Sequence, residues 1–360
     1  MAEQKNRIKT AVAGCGAISE IYLKNMIEKF DNLEVAACCA RHIESAKKRA
    51  GQFGICACTY EEILKNSEIR LIVILTPVPT HYLLIRKALE AGKHVYTEKT
   101  MTAQLSEARE LLKLADEKGL YLGAAPDTFL GSGLQSAKKA MEEGLIGEVT
   151  SFQIAANRNL DYQAGRFAFL RLPGSGICYD YGVYYLTAIV ELLGPVKGAF
   201  AMVKNRKEFR INADRDSEEY GTEFHYPGES QVTALLEMGS GITGNLMLNG
   251  DSIERDLSVF YIYGTKGILK LANPDCFGGK VEVIPDGVHT SKRPFVPDYG
   301  LPYSENSRGL GVSEMAAAIL CGGEHPANKE QAYHVLDVIE TIMKSGKSGG
   351  FERVESGVLS

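Results

Sequence analysis

Ile8-Lys9-Thr10-Ala11-Val12-Ala13-Gly14-Cys15-Gly16-Ala17-Ile18-Ser19 is the stretch that decides the fold. Ile8 to Ala13 reads as an apolar strand, and the following pattern predicts a helix from about Ala17 to Phe30. Between them, Gly14 permits a tight turn and Gly16 lets the backbone approach a pyrophosphate. The helix start offers free N–H groups and a positive dipole end. Gly14, Gly16, Ala17 and Ile18 are therefore candidate cofactor contacts. Ser19 holds the third position, where Gly or Ala is usual, and predicts a slightly wider helix–strand spacing.

Outward from this turn, residues 7 to 125 alternate strand and helix patterns at short spacing, the signal for a parallel sheet built from right-handed crossovers. Strands are expected at Glu34 to Cys39, Leu71 to Leu75, His94 to Thr97 and Tyr121 to Ala124, and the whole reads as a six-stranded unit. Helices are expected at Ile43 to Phe53, from Thr80 to Ala91, and at Leu105 to Lys118. The second strand runs into Ala40-Arg41-His42, with no carboxylate for the 2′-hydroxyl of an NAD ribose. Arg41 can pair with a 2′-phosphate instead, so the cofactor is NAD or NADP with a lean toward NADP. An exposed arginine opening a helix is the plain alternative. The Leu71 strand ends in Thr76-Pro77-Val78-Pro79-Thr80-His81, a stiffened loop expected against the cofactor through Thr76 and Pro77. Thr80 is placed to cap the next helix. His81 either touches ligand or sits in the cap.

The strand His94 to Thr97 delivers Glu98-Lys99 at its carboxyl end, where open α/β sheets hold ligands. A lysine there can donate a hydrogen bond to a reacting oxygen, and burial lowers its pKa toward a useful range. Glu98 can orient it. An arbitrary Glu-Lys pair is more often a solvated ion pair, and the surrounding pattern reverses those odds.

After Pro126 the pattern changes, giving a boundary between residues 1–125 and 126–360. A helix near Leu134 to Gly144 leads to a strand around Gly147 to Ala156 and a polar, aromatic loop from Asn157 to Arg171. A helix from about Asp180 to Leu193 follows. From Val196 to Val283 the reading is strands, among them Gln231 to Met238, Ile242 to Leu248, Leu257 to Tyr263, Ile268 to Leu271 and Lys280 to Val283. Short turns join them, which predicts a large open, mainly antiparallel sheet in an α+β domain. Both alternating faces of Leu257 to Tyr263 are largely apolar, so the second face is expected to be covered in a homo-oligomer. Pro285 to Ser307 reads as loop, and helices close the chain near Gly311 to Leu320 and Lys329 to Ser345.

At 360 residues, 45% apolar and 24% charged, the composition is that of a two-domain globular protein. A net charge of −5 with interspersed signs argues against nucleic acid or a membrane surface as partner. The longest aliphatic run, Leu71 to Leu75, is far too short for a membrane span, and Met1 to Lys9 is too polar for a signal peptide. A cytoplasmic location is expected, with the eight cysteines as free thiols and no metal site.

In Asp180-Tyr181-Gly182-Val183-Tyr184-Tyr185-Leu186-Thr187, residues 180, 184 and 187 are spaced to share one helix face. Alone, Asp180 reads as a cap and Tyr184 as a core tyrosine. Together with the glycine turn and Glu98-Lys99, they resemble the glucose-fructose oxidoreductase / inositol dehydrogenase (Gfo/Idh/MocA) family across nearly the whole chain. Its motifs are an N-terminal GxGxxG/A, an EKP and a DxGxH/YxxD helix. Thr100 takes the place of the proline, Tyr184 that of the usual catalytic histidine, and Thr187 that of the second aspartate. The resemblance implies a Rossmann domain followed by an α+β substrate domain. It also implies hydride transfer between nicotinamide and a secondary hydroxyl of a sugar, cyclitol or glycoside.

In that reading Lys99, Tyr184 and Asp180 are catalytic. Asn157, Arg158, Asp180, Tyr184 and Thr187 bind substrate. Tyr162, Phe167, Phe169 and Tyr181 can stack on a sugar face, and Arg171 can reach its polar groups. Alternatives are a nucleotide-sugar dehydrogenase with Arg158 or Arg166 on phosphate, a dihydrodiol dehydrogenase-like enzyme, and a non-catalytic sugar sensor.

Overall fold

The structure, a computed structural model, describes residues 7–172, 174–253, 257–289 and 291–356. Most of the N-terminal stretch read as too polar for a signal peptide lies outside them. Two compact units form: one runs to Asp127 and includes Asn306–Tyr333, the other takes Thr128–Glu305 and the chain from His334.

The first unit is a six-stranded parallel sheet of β1 (Ile8–Ala13), β2 (Leu33–Cys39), β3 (Cys56–Ala57), β4 (Leu71–Ile74), β5 (His94–Thr97) and β6 (Leu122–Ala124), in the order β3-β2-β1-β4-β5-β6. Helices α1 (Ser19–Glu28), α2 (Ile43–Phe53), α3 (Tyr60–Lys65), α4 (His81–Glu90) and α5 (Leu105–Lys118) make the crossovers. The order reverses between β1 and β4, which places the carboxyl ends of those strands at the switch point where open α/β sheets bind ligands. β4 is buried along its whole length, as expected of a strand covered on both faces. The sixth strand is the two-residue Cys56–Ala57, too short to show a period, and α3 is held by a capping box between Thr59 and Glu62.

The second unit contains α6 (Ser132–Glu142), β7 (Val149–Asn157), α7 (Leu160–Arg166), α8 (Val183–Leu193) and β8 (Val196–Lys204). After a small β9 (Phe209–Ile211) and β10 (Glu223–His225) ribbon come β11 (Gln231–Met238), β12 (Thr243–Asn249), β13 (Leu257–Gly264), β14 (Gly267–Lys270) and β15 (Glu282–Pro285). Helices α9 (Leu310–Cys321, in the first unit) and α10 (Lys329–Ser348) precede β16 (Glu352–Arg353). The eight-stranded sheet runs β15-β14-β13-β7-β12-β11-β8-β16.

Most pairs are antiparallel, but β12 lies parallel to β7. The long excursion through α7, α8 and four strands allows that, whereas the short turn at Gly239–Ile242 forces β11 and β12 antiparallel. The segment read as one loop over residues 157–171 contains α7, capped where Asn159 accepts from the Tyr162 N–H at 3.0 Å.

Alternation along the strands divides the sheet. Ile154, Ala234, Leu246 and Phe260 are buried, and the Leu248 side chain packs against Gly182 at the head of α8. On the other face Phe200, Met202, Leu235, Met247 and Val259 are exposed, Leu235 at 60% and Met202 at 62%. They fall on four strands in adjoining rows of the register. Among the described residues, no helix is long and apolar enough to cross a membrane.

Candidate active site

In the first unit the glycine turn fits a dinucleotide. Gly14 sits at φ +111°, and a Cβ there would meet the Leu75 backbone at 2.7 Å, so only glycine closes the turn. Beside Gly16, nothing lies within 4 Å of where a Cβ would be, leaving the exposed backbone open to a ligand. Ala17 and Ile18 follow on the rim of the turn, immediately before α1. Ser19 is absorbed locally: it is buried, and its hydroxyl donates to Gly16 O at 2.6 Å. Arg49, which no local motif singles out, pairs with Glu20 at 2.8 Å and donates to Gly16 O at 3.2 Å. Arg41 is exposed beside His42, with Nε 3.3 Å from His42 Nε2.

Glu98 and Lys99 follow β5 and are both half-buried. The Tyr22 hydroxyl donates to Glu98 Oε1 at 2.8 Å, while Oε2 accepts from the Lys99 backbone N–H at 3.2 Å. Burial first, and then the Glu98 charge, hold the Tyr22 phenol protonated well above its ordinary range. Tyr22 thus clamps the carboxylate from α1. Its only sequence signal is a tyrosine in the buried stripe Ser19, Tyr22, Leu23, Met26. Behind it, buried Asp127 accepts from the Gly309 and Gly311 N–H groups at 3.0 Å, at the start of α9. Burial pushes its carboxyl up to about 6.

Thr76 and Pro77 lie on the loop after β4, Pro77 exposed. Two expectations on this loop are corrected. Thr80 does not cap α4; its hydroxyl lies 2.7 Å from Thr76 Oγ1 and 2.8 Å from Pro77 O. His81 is 0% exposed, with Nδ1 2.9 Å from Thr100 O and Nε2 2.7 Å from Thr76 O. It braces two loops and has no surface to offer a ligand, and burial lowers its pKa.

In the second unit Arg158 is the hub. Its guanidinium meets Asp180 at 3.2 Å and Asp275 at 3.0 Å, and lies 3.7 Å over the Tyr181 ring. Asp275 was not predicted, because nothing local marks it. Tyr181, expected as a stacking surface for sugar, is fully buried as the platform under Arg158, with its hydroxyl 3.1 Å from that of Tyr185. Asn157 accepts from Asn249 Nδ2 at 3.0 Å across the β7–β12 pair. Arg171 is not a ligand group either: it donates to Ala164 O and Gly165 O at the end of α7. Phe167 packs on the buried cluster around Leu170 and Phe224, and Phe169 stays exposed.

The helix carrying Asp180 and Tyr184 differs from expectation. Cys178–Gly182 is a π turn, and α8 begins only at Val183. One extra residue per turn takes Asp180 out of the α-helical register that the i, i+4, i+7 spacing assumed, and its carboxylate pairs with Arg158 instead of capping α8. Tyr184 and Thr187, both inside α8, remain on one face and are 8% and 3% exposed. The turn is held from below. Glu229 Oε1 accepts from the Cys178 N–H at 2.8 Å, and a Cβ on Gly176 would overlap that carboxyl. Among the described residues, no group of three His, Cys, Asp or Glu side chains is arranged to hold a metal.

A parallel sheet with a glycine turn at its switch point, a Glu98-Lys99 pair just past the end of β5, and a mixed sheet domain are the architecture of a dinucleotide-dependent oxidoreductase. Residues 8–125 match the oxidoreductase family described as an NAD-binding Rossmann fold, and residues 134–270 match the GFO/IDH/MocA C-terminal domain. The chain belongs to this family.

It is 24% identical over 350 residues to the scyllo-inositol 2-dehydrogenase (NADP(+)) IolW of Bacillus subtilis, covering 94% of each chain. It is 32% identical over 354 residues to the dTDP-3,4-didehydro-2,6-dideoxy-alpha-D-glucose 3-reductase of Streptomyces violaceoruber, covering 93% of this chain and 98% of the relative. An uncharacterized oxidoreductase of Schizosaccharomyces pombe is 32% identical over 205 residues, 56% of each chain. Levoglucosan dehydrogenase, solved with NADH and L-sorbose, superposes with a TM-score of 0.84 at 18% identity, covering 97% of this chain and 99% of that one.

Proposed function

We propose that the protein oxidises a secondary hydroxyl of a sugar, cyclitol or glycoside with NAD(P). The observation that carries this reading is the Tyr22–Glu98 bond, which fixes a carboxylate on the backbone N–H of Lys99 at the end of β5, a restraint that a sensor does not need. When bound, the nicotinamide supplies the hydride acceptor. Lys99 hydrogen-bonds the reacting oxygen and stabilises its alkoxide character, and Tyr184 takes the hydroxyl proton. Asp180, steadied by Arg158, orients the sugar, with Asn157 and Thr187 as further polar positions. Inositol and levoglucosan in the names of similar proteins support this substrate class.

The nucleotide-sugar reading fares less well despite the dTDP-sugar relative. Arg158 is bracketed by two carboxylates, and Arg166 lies within 4 Å of Asp214 and Asp216. Neither offers an uncompensated charge to phosphate. The test is mass spectrometry of whatever dinucleotide co-purifies, followed by an oxidation screen over inositols, free sugars and glycosides. No affinity for NAD or NADP by calorimetry, or oxidation of nucleotide sugars alone, defeats the proposal.

Arg41 supports a lean toward NADP. In Arg41→Ala the NADP Kd is expected to rise roughly tenfold while that of NAD stays nearly unchanged, the scale of one charge-assisted contact. Equal losses in a paired titration remove the lean.

The exposed apolar face of the second sheet supports a homo-oligomer. Light scattering at micromolar concentration is expected to give a multiple of the chain mass, and Leu235→Glu to shift it to the monomer. A monomeric wild-type mass refutes the assignment.

A further inference from the structure

Asp275 comes to Arg158 from the loop that follows β14, and Asn273 latches that loop in place. Asn273 Oδ1 accepts from the Asp275 backbone N–H at 3.0 Å and from the Tyr185 hydroxyl at 3.4 Å, and its Nδ2 donates to the Tyr181 hydroxyl at 3.2 Å. None of these bonds uses the Asp275 side chain, so the latch holds when that side chain is changed. Asp275 Oδ2 lies 3.0 Å from Arg158 Nη2 and Asp180 Oδ2 lies 3.2 Å from Nη1, while the Tyr181 ring covers one face of the guanidinium at 3.7 Å. Two carboxylates share one cation, and neither is sealed from solvent: the Asp275 side chain is 23% exposed and that of Asp180 16%.

We propose that Asp275 is a specificity-determining residue: by occupying Arg158 it restricts the site to neutral polyols and turns away sugars that carry a carboxylate or a phosphate. The proposal rests on the reading that Asp180 faces the sugar.

The argument is one of charge. Arginine is the usual partner of a carboxylate or phosphate because its planar fork matches two anionic oxygens. Here the fork is spread over two carboxylates of the protein itself. An anionic sugar approaching Arg158 meets both of them as like charges. A neutral hydroxyl can donate to either carboxylate and displaces nothing. The repulsive element therefore excludes the wrong ligand, which is how specificity is commonly built.

Of the two carboxylates, Asp275 is the one that sets the choice. Asp180 belongs to the π turn that leads into α8 and is assigned to the reaction, so its loss disturbs turnover on any substrate. Asp275 stands on a loop, is the more exposed of the two, and acts through Arg158. A purely structural triad predicts that removing Asp275 loosens Arg158 and weakens every sugar alike. A specificity residue predicts a change of preference, because its removal leaves a guanidinium nitrogen to which a ligand carboxylate can bind in place of the missing one.

The test is calorimetry on the full chain with NADH and NADPH present. It compares two pairs of sugars that differ only at C6, glucose with glucuronate and galactose with galacturonate. Wild type is expected to bind the neutral member roughly tenfold tighter or more, the scale of one charged contact. Asp275→Ala should shift that ratio toward the uronate by roughly tenfold or more, and added acetate should then compete with the uronate and not with the neutral sugar. Asp275→Asn, which keeps the shape and loses the charge, should shift it in the same direction by less. Adding Arg158→Met to Asp275→Ala should abolish the shift. Equal changes for both members of a pair, a shift that survives the loss of Arg158, or wild type that binds the uronate as tightly as the neutral sugar overturns the proposal, as does wild type that binds neither. Wild type that selects the neutral sugars and oxidises none of them defeats the proposed reaction and leaves Asp275 as the determinant of what binds.

Discussion

Lys99→Ala is expected to lower turnover roughly 10²- to 10⁴-fold, the scale of a positioned acid/base group, while substrate affinity changes far less. The reason is differential binding. A hydrogen bond from Lys99 to the reacting oxygen strengthens as that oxygen becomes alkoxide, so its loss falls on the transition state. Tyr184→Phe removes one hydroxyl from a side chain that is already 8% exposed, so packing in α8 survives while the rate falls comparably. Because both groups serve one proton transfer, the double variant should be little slower than either single one. Single-turnover cofactor reduction with an oxidisable glycoside, for all three variants, measures this. Near-wild-type hydride transfer in Lys99→Ala leaves Glu98-Lys99 as an ordinary ion pair, and additive losses separate the two roles.

Glu229→Gln is expected to gain stability over wild type as pH rises from 4.5 to 7. Burial, only partly offset by the Cys178 N–H, raises the Glu229 carboxyl from 4.5 to about 7. In that window the unfolded chain has lost the proton and the folded chain keeps it. The unfolded state binds fewer protons there, so the contribution of Glu229 is fully present below 4.5 and is lost as pH climbs through 7. A rise of that size corresponds to about 3 kcal/mol. Glutamine keeps an acceptor for Cys178 and carries no charge, so the variant should match wild type near pH 4.5 and exceed it above pH 7. Asp127, raised from 3.8 to about 6, adds a similar slope to both proteins and leaves their difference unaffected. Urea titrations across this range decide it, and parallel profiles mean that Glu229 ionises normally. The same carboxyl supports the π turn that positions Asp180, so turnover should change over the same window in wild type and not in the variant.

How much of this was legible depended on whether the cause was local. Helices Ile43–Phe53 and Leu105–Lys118 and strand His94–Thr97 fall where the sequence placed them, because their ends are marked by Gly54, Gly119 and apolar periodicity. The glycine turn was legible for the same reason, since Gly14 answers to a steric demand that its neighbours announce. The Cys56–Ala57 strand escaped because two residues show no alternation, and α7 because its polar and aromatic residues resemble a loop. The parallel β7–β12 pair depends on a crossover whose course no single segment encodes.

The site divides along the same line. By itself the sequence determined the fold class, the family, the dinucleotide turn and the candidate residues Glu98, Lys99, Asp180 and Tyr184, all carried by short contiguous motifs. Only the tertiary structure decided what holds them. The Tyr22–Glu98 bond joins residues 76 apart and Arg158–Asp275 residues 117 apart. It also decided that His81 is a brace, that Tyr181 is a platform, and that a π turn takes Asp180 out of helical register. The physical reason is that backbone propensity and apolar periodicity act over a few residues, whereas a buried polar group takes whichever partner the packed chain brings within about 3 Å of it, and sequence spacing carries no record of that partner.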